Sequence, residues 1–284
     1  MQKELILNNG NKIPVLGYGT WLIPNNKAAE CVQTALALGY RHIDTAQAYG
    51  NEAGVGKGIR LSGLKREEIY VTTKVMAEYK TYKKAKASID KSLKKLGLDY
   101  IDLILIHCPQ PWIEFRGKRR YFKENIEVWK ALEDAYKEGK VKAIGVSNFL
   151  VDDLENILNN CEIKPMVNQV LCHIGNTPVD VMKFCHDNDI AIEAYSPIAH
   201  GAAFKNKKIK EFANKYNVSI PQLCIKYTLQ IGTISLPKAS SKEHIEDNMK
   251  LDFEISEEYM VELMKQNEID YGKDAFWPVF HKAK

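Results

Sequence analysis

The sequence predicts a (β/α)8 barrel, and three observations favour this fold class. Short β-rich runs occur eight times along the 284 residues, segments with helical spacing lie between them, and several runs are almost continuously apolar. One of these is IDLILI at 101–106. Continuous apolar runs are typical of parallel strands that are covered on both faces. Eight alternating strand and helix units favour a closed barrel over an open sheet.

The predicted strands are spread evenly from residue 15 to residue 236. They cover residues 15–18, 40–43, 69–73, 101–106, 141–146, 166–170, 190–194 and 233–236. Apolar residues at helical spacing predict helices between these strands, for example over 27–38, 83–96 and 125–136.

Further elements are predicted outside the eight repeated units. Residues 5–14, LILNNGNKIP, alternate apolar and polar residues around a turn, which predicts an N-terminal hairpin that closes the barrel bottom. Two helical segments, 207–216 and 256–265, exceed the number that the barrel needs. The tail, 267–284, has no periodicity and predicts a C-terminal loop over one mouth. Because no linker interrupts the sequence, we expect one domain over 1–284.

The composition excludes several classes of protein. With 45% hydrophobic and 27% charged residues the chain is globular, and its net charge of +4 gives no reason to expect a nucleic-acid partner. No run approaches the ~20 apolar residues of a membrane span, and the N-terminus does not resemble a secretory signal. Six cysteines lack a CxxC pair, so no metal site or disulfide framework is expected. We expect a cytoplasmic monomer or weak homodimer.

Candidate catalytic residues stand where the second, third and fourth predicted strands end. YRHID ends in Asp44, IYVTTK ends in Lys74, IDLILIH ends in His107, and Tyr49 lies in the loop after Asp44. In barrel enzymes the chemistry sits at the carboxyl ends of the strands. A neighbouring ammonium lowers the pKa of a phenol, so Lys74 would make Tyr49 a general acid. Asp44 would hold the ammonium, and His107 would orient a substrate carbonyl oxygen.

The later strands end in groups that form hydrogen bonds or stack, which predicts a binding surface. They include Ser147, Asn148, Gln169, Tyr195 and Lys238. Because the chain shows no metal-ligand cluster and no redox-active thiol pair, carbonyl reduction would need a bound hydride donor.

A Rossmann fingerprint is missing from the sequence. Gly54, Gly56 and Gly58 have the wrong spacing for it and follow the strand too late. We interpret them as sites of close helix packing, so a dinucleotide would have to be held by the later strand ends.

Three segments resemble the signatures of the aldo-keto reductase superfamily, and the resemblance covers nearly the whole chain. They are GYRHIDTAQAYGNE at 39–52, IKPMVNQV at 163–170 and the segment 236–248. The sequence is similar to the branch that holds microbial diketogluconate reductases and prostaglandin F synthases. The resemblance implies a barrel enzyme that reduces small-molecule aldehydes and ketones with NADPH. It implies a catalytic tetrad with Tyr49 as the proton donor, consisting of Asp44, Tyr49, Lys74 and His107.

The resemblance also implies the residues that bind cofactor and substrate. The nicotinamide carboxamide would contact Ser147, Asn148 and Gln169, and Tyr195 would stack on the ring. The full expected cofactor set is Gly19, Thr20, Trp21, Asp44, Ser147, Asn148, Gln169, Tyr195, Ser196, Pro197, Ile198, Gly201, Lys238, Ala239, Ser240, Ser241, His244, Asp247 and Asn248. The expected substrate set is Trp21, Tyr49, Met76, His107, Cys108, Trp112 and Trp277.

The sequence departs from the family pattern at several of these positions. Ala239 replaces a serine, and His244 replaces an arginine whose fixed guanidinium fork suits a phosphate. NADH is therefore possible beside NADPH. Cys108 stands where a tryptophan is usual, and Trp112 is the candidate to fill that space.

Two other functions and one surface feature remain open from the residues alone. Lys74 could act as the Schiff-base amine of a barrel lyase or aldolase, although pairing with Asp44 weakens an amine nucleophile. The chain could also be a regulatory subunit that binds cofactor with little turnover, against which the intact tetrad argues. The basic loop 116–123 would either steer anionic substrates or be a solvated loop.

Overall fold

The computed structural model describes residues 3–271 and begins with the predicted hairpin. Its strands, β1 (Glu4–Ile6) and β2 (Lys12–Pro14), pair antiparallel. The hairpin is tied to the amino end of the barrel by asparagine side chains. Asn8 donates to the carbonyl of Pro165 at 2.9 Å, and Asn11 donates to that of Lys142 at 2.8 Å. Both carbonyls lie in loops that precede barrel strands, so the hairpin covers the barrel bottom.

Eight parallel strands form the barrel, as the sequence predicts. They are β3 (Gly17–Gly19), β4 (His42–Asp44), β5 (Tyr70–Val75), β6 (Leu103–Ile106), β7 (Ile144–Ser147), β8 (Val167–Leu171), β9 (Ala191–Tyr195) and β10 (Ile234–Leu236). Consecutive strands pair in parallel register from β3 to β10. The last strand returns to the first, because the Ser235 amide donates to the Val15 carbonyl at 2.8 Å. The (β/α)8 prediction is confirmed, with strand boundaries shifted by a few residues.

Helices cover the outside of the barrel. They are α1 (Asn25–Leu38), α2 (Glu52–Leu61), α3 (Tyr82–Leu96), α4 (Phe122–Lys137), α5 (Val151–Leu158), α6 (Val179–Asp187), α7 (Lys207–Lys215), α8 (Ile220–Gln230), α9 (Lys242–Asp247) and α10 (Glu257–Met264). The additional helices α7 and α10 confirm the two predicted extra segments. A 3-10 turn, Gln47–Tyr49, carries the candidate proton donor.

The glycines of α2 allow close packing against two neighbouring helices. A Cβ on Gly56 would lie 1.9 Å from the Leu96 carbonyl oxygen, and one on Gly54 would lie 2.2 Å from that of Asn25. Real Cβ atoms do not approach backbone this closely, so only glycine fits. The structure confirms the interpretation of these glycines as packing sites.

We expect Gly56→Ala to lower the free energy of unfolding by about 3 kcal/mol, because the added methyl group overpacks a backbone contact. Urea denaturation measures this loss. The matched control is Lys57→Ala, since Lys57 is exposed on the same helix and its replacement changes stability by ~0.5 kcal/mol or less. An unchanged urea midpoint for the glycine variant would contradict the packing argument.

The described residues contain no helix that is long and apolar enough to cross a membrane. Within residues 3–271 no cluster of three or more histidine, cysteine or carboxylate side chains could hold a metal ion. All six cysteines are free thiols. The described part of the tail, 267–271, has no helix or strand, and the rest of the predicted 267–284 loop lies outside the described residues.

Candidate active site

A cavity of about 870 Å³ opens at the carboxyl ends of the barrel strands. This volume is in the range of small-molecule and cofactor pockets. Of the predicted site residues that the structure describes, all line this cavity except Lys74, Thr20 and Cys108. The barrel therefore brings residues from all eight strand ends together in one lining, which extends in sequence from Gly19 to Asn248.

Each of these three exceptions has a defined place. Lys74 is fully buried directly beneath the cavity. Thr20 is also fully buried, and its hydroxyl donates to the Asp44 carbonyl at 2.9 Å, so it supports the end of β4. Cys108 lies behind the lining with its carbonyl accepting from the buried Lys80 ammonium at 2.7 Å. Trp277 lies outside the described residues.

Some lining residues were not predicted from the sequence. They are Leu22, Ala48, Glu78, Ile113, His200, Phe204, Pro221 and Leu236. Glu78 could have been found, because it follows the carboxyl end of β5 in the same way as the predicted Met76. Loop residues such as Phe204 carry no periodic signal that would place them.

The core of the site is a buried chain of contacts between three side chains. The Lys74 ammonium donates to both carboxylate oxygens of Asp44 at 2.7 and 2.8 Å and to the Thr45 carbonyl at 2.9 Å. It also donates to the Tyr49 hydroxyl at 3.3 Å. Because β4 and β5 are neighbours, the side chains of Asp44 and Lys74 near their carboxyl ends meet at this point. The predicted arrangement of acid, cation and phenol is present.

The pKa values of Lys74 and Tyr49 reflect both burial and the neighbouring charges. Burial lowers the pKa of Lys74, but Asp44 and Tyr49 together outweigh that effect, so the pKa lies above its usual value and the side chain is an ammonium. Burial raises the pKa of Tyr49 above that of an ordinary phenol, while Lys74 acts in the lowering direction. The expected net lowering of the Tyr49 pKa is therefore wrong in this structure, because desolvation exceeds the effect of the ammonium.

His107 lies beside Tyr49 at the same rim. Their ring centres are 5.6 Å apart, and on the other side Trp112 packs edge-to-face on the imidazole at 5.0 Å. Burial, reinforced by Lys74 and then Lys80, holds the pKa of His107 well below its usual value. The ring is therefore neutral at pH 7, with one N–H to donate. Trp112 lines the cavity beside His107, and its substrate role stays a prediction.

The strand ends opposite the tetrad form a fixed polar surface. The Tyr195 hydroxyl donates to Asn148 Oδ1 at 2.7 Å, and Asn148 Nδ2 donates to Ser147 Oγ at 3.1 Å. Gln169 Nε2 donates to Asp44 Oδ2 at 2.9 Å, while Gln169 Oε1 accepts no hydrogen bond from the described residues. The Tyr195 ring is thus held in place, and Gln169 keeps an acceptor oxygen for a ligand.

Strained backbone is concentrated at the cavity edge. Asn148, Ser196 and His200 have φ values of 63°, 52° and 51°, in the left-handed region that favours glycine. Non-glycine residues in this region usually cost ~1–3 kcal/mol and are common at functional sites. The His200 ring contacts that of Trp21 at 5.3 Å, so these loops meet across the cavity.

Cationic and hydroxyl groups occur on the part of the lining that follows β10. The Lys238 side chain reaches solvent, but its surroundings are partly desolvated, which lowers its pKa. Ser240 and Ser241 follow it on the lining, and the carbonyl of Ala239 accepts from the Tyr18 hydroxyl at 2.5 Å. These groups suit an anionic ligand. The Asp247 carboxylate is already engaged by Ser219 and Gln222, at 2.7 and 2.9 Å.

The chemistry of the lining fits a nicotinamide dinucleotide. Near Tyr49, the cavity offers the flat ring of Tyr195 and the acceptor oxygen of Gln169, which suit an aromatic carboxamide. The segment after β10 offers Lys238 and serine hydroxyls, which suit phosphate groups. The described lining residues include no side chain that can supply a hydride, so a reduction at this site would need a nicotinamide cofactor.

Comparison with known proteins identifies the family. Residues 15–268 match the model of the Aldo/keto reductase family. The chain is 43% identical over 256 residues to a glyoxal reductase of Bacillus subtilis, which covers 89% of both chains. It is 41% identical over 280 residues to a 9,11-endoperoxide prostaglandin H2 reductase of Trypanosoma cruzi, with coverage of 96% of this chain and 95% of the relative.

A solved structure gives the same result. An aldo-keto reductase from Bombyx mori in complex with NADP superposes with a TM-score of 0.84 at 31% identity, covering 98% of each chain. With its closed barrel and its buried acid, cation and phenol at the rim, this chain belongs to the aldo/keto reductase family and is an oxidoreductase.

Proposed function

We propose that this protein reduces small aldehydes and ketones to alcohols with NADPH, with Tyr49 as the proton donor. The observation that carries the proposal is the 3.3 Å contact between the Tyr49 hydroxyl and the Lys74 ammonium at the cavity wall. A phenol in contact with a fixed ammonium can give up its proton during the reaction and leave a stabilised phenolate.

The residues of the site have separate roles in the reduction. A nicotinamide cofactor held by these residues would supply the hydride. Tyr49 transfers its hydroxyl proton to the substrate oxygen, and Lys74 stabilises the phenolate that remains. Asp44 keeps the ammonium oriented toward Tyr49, because two of its hydrogen bonds go to the carboxylate. The negative charge that develops on the Tyr49 oxygen is thus stabilised by the Lys74 ammonium, which is already in place.

His107 and the aromatic residues orient the substrate and exclude water. The neutral imidazole donates its N–H to the substrate carbonyl oxygen, which directs that oxygen toward Tyr49. Trp21, Trp112 and Phe204 give the cavity an apolar wall around these polar groups. Removal of water strengthens the hydrogen bonds at the reacting carbonyl.

The cofactor would be held at two parts of the lining. Gln169 accepts from the carboxamide and Tyr195 supports the nicotinamide ring, which fixes the orientation of the reacting carbon. Lys238 and Ser241 bind the adenosine 2′-phosphate and give the preference for NADPH. Because Ala239 and His244 lack the usual hydroxyl and guanidinium groups, we propose a modest preference, with NADH as a slower alternative.

We expect Lys238→Ala to raise the Kd of NADPH about tenfold and that of NADH less than twofold, because only NADPH carries the phosphate that the ammonium contacts. Fluorescence titration of the purified protein with each cofactor measures both constants. Lys242→Ala is the control, since Lys242 is exposed on the neighbouring helix outside the cavity lining. Equal loss of affinity for both cofactors would contradict the assignment.

The direct test of function is the loss of cofactor absorbance with a panel of small aldehydes, ketones and dicarbonyls. The glyoxal reductase relative makes dicarbonyls the first compounds to test. Tight cofactor binding together with no turnover of any carbonyl in the panel would instead support a regulatory subunit. A Schiff-base mechanism has no support, because Lys74 is fully buried and its raised pKa keeps it a poor nucleophile.

A further inference from the structure

A buried polar column extends from the tetrad into the interior of the barrel. Below Asp44 lie Gln169, Glu193 and His42, of which Glu193 and His42 are fully buried. Barrel interiors are usually filled by branched apolar side chains. Burial of a carboxyl and an imidazole costs free energy unless both are fully hydrogen-bonded, so their presence in this interior calls for an explanation.

The position of the Gln169 amide depends on two carboxyl groups. Its Nε2 donates to Asp44 Oδ2 at 2.9 Å and to Glu193 Oε2 at 2.7 Å. Gln169 and Glu193 are direct neighbours in the register of β8 and β9. Both N–H groups of the amide are therefore used, and the amide oxygen is left on the side away from the carboxyls.

We propose that Glu193 is a positioning residue, which fixes the Gln169 amide from inside the barrel and, through it, the Asp44 carboxylate. This role rests on the proposed function, because it concerns the groups that hold the cofactor and the proton donor. It assigns a purpose to a carboxyl that touches neither cavity nor substrate.

The surroundings of Glu193 favour its neutral form. His42 Nε2 lies 3.6 Å from Glu193 Oε1, but burial lowers the pKa of His42 to about 4, so the imidazole carries no charge at pH 7. The Lys74 ammonium already donates to both oxygens of Asp44, and the Asp44 carboxylate disfavours a second negative charge on Glu193. Tyr70 of β5, the remaining titratable neighbour, has a pKa that burial and Glu193 raise further.

Burial and the nearby Asp44 raise the pKa of Glu193 to about 8. Because Oε2 accepts from Gln169, the proton belongs on Oε1, which has no hydrogen-bond partner among the described residues. Above pH 8 the ionised carboxyl adds negative charge below Asp44. That charge raises the pKa of Tyr49 further and weakens it as an acid, so the reduction slows as the pH rises through this range.

Two variants separate the contact from the charge. We expect Glu193→Leu, which removes the acceptor for Gln169, to raise the Kd of NADPH about tenfold, the effect of losing one hydrogen bond. Glu193→Gln keeps an acceptor oxygen without the ionisation, so it recovers most of that affinity. It also loses the alkaline transition near pH 8 in the profile of kcat.

Infrared spectroscopy of the protein without cofactor tests the protonation state independently of activity. We expect the carbonyl band of a protonated carboxyl that is present at pH 6, disappears above pH 9, and is absent from Glu193→Gln. Thr228→Val is the control for lost buried polarity, because its hydroxyl is fully buried outside this column.

Three results would overturn the proposal. They are wild-type cofactor affinity in Glu193→Leu, an alkaline transition that persists unchanged in Glu193→Gln, and no protonated carboxyl band that this variant removes. The infrared result does not depend on turnover, so a protein without carbonyl reductase activity would refute the proposed function and leave the state of Glu193 measurable.

Discussion

Replacement of Tyr49 by phenylalanine should lower kcat for carbonyl reduction by ~10³-fold, because it removes the proposed proton donor. The phenyl ring keeps the packing against His107, so the fold and cofactor binding should change little. The effect should therefore appear in kcat and only weakly in the Kd of NADPH. Steady-state measurements with one good aldehyde substrate give kcat, and fluorescence titration without substrate gives the Kd of NADPH.

A matched control distinguishes loss of the proton donor from loss of any hydroxyl. Tyr82→Phe removes a hydroxyl that donates to Asp134 at 2.6 Å on the outer helices, and it should leave kcat near the wild-type value. A wild-type rate in Tyr49→Phe would refute the assignment of the proton donor.

Lys74→Met should destabilise the protein by about 3–5 kcal/mol and abolish measurable turnover. The substitution leaves the buried Asp44 carboxylate without the ammonium that donates to both of its oxygens. Breaking a buried ion pair on one side has a large cost, since an uncompensated charge remains in the interior. Urea denaturation at pH 7 measures the loss of stability, and cofactor oxidation measures activity.

The double variant Lys74→Met with Asp44→Asn tests the physical cause of that loss. Because it removes both charges, stability should recover by at least ~2 kcal/mol relative to Lys74→Met, while activity stays absent. If the single variant were as stable as wild type, the ion pair would not be the interaction that holds this part of the barrel.

Much of the fold could be predicted because periodicity and strand composition are local properties. The apolar run at 101–106 and its seven counterparts each became a barrel strand, and the hairpin at 5–14 formed as expected. The strand ends then located Asp44, Lys74 and His107, since all parallel strands deliver their carboxyl ends to one rim. The later strand ends likewise located the first residues of the binding surface, and the family resemblance added the remaining cofactor and substrate positions.

Other properties of the site depend on distances that no sequence pattern contains. The loop residues Leu22 and Phe204 line the cavity because remote segments fold toward it. The role that we propose for Glu193 could not be inferred from the sequence, where it is one polar residue within an apolar strand. Its partners Gln169 and His42 belong to other strands, and only barrel closure brings the three together.

The sequence by itself determined the eight-strand barrel, the rim residues and the family of this protein, because these follow from local patterns and motifs. Only the tertiary structure decided the protonation behaviour of the site. Burial raises the pKa of Tyr49 despite the adjacent ammonium and keeps His107 neutral. Desolvation depends on everything that surrounds a group in the folded chain, and the order of residues does not contain that information.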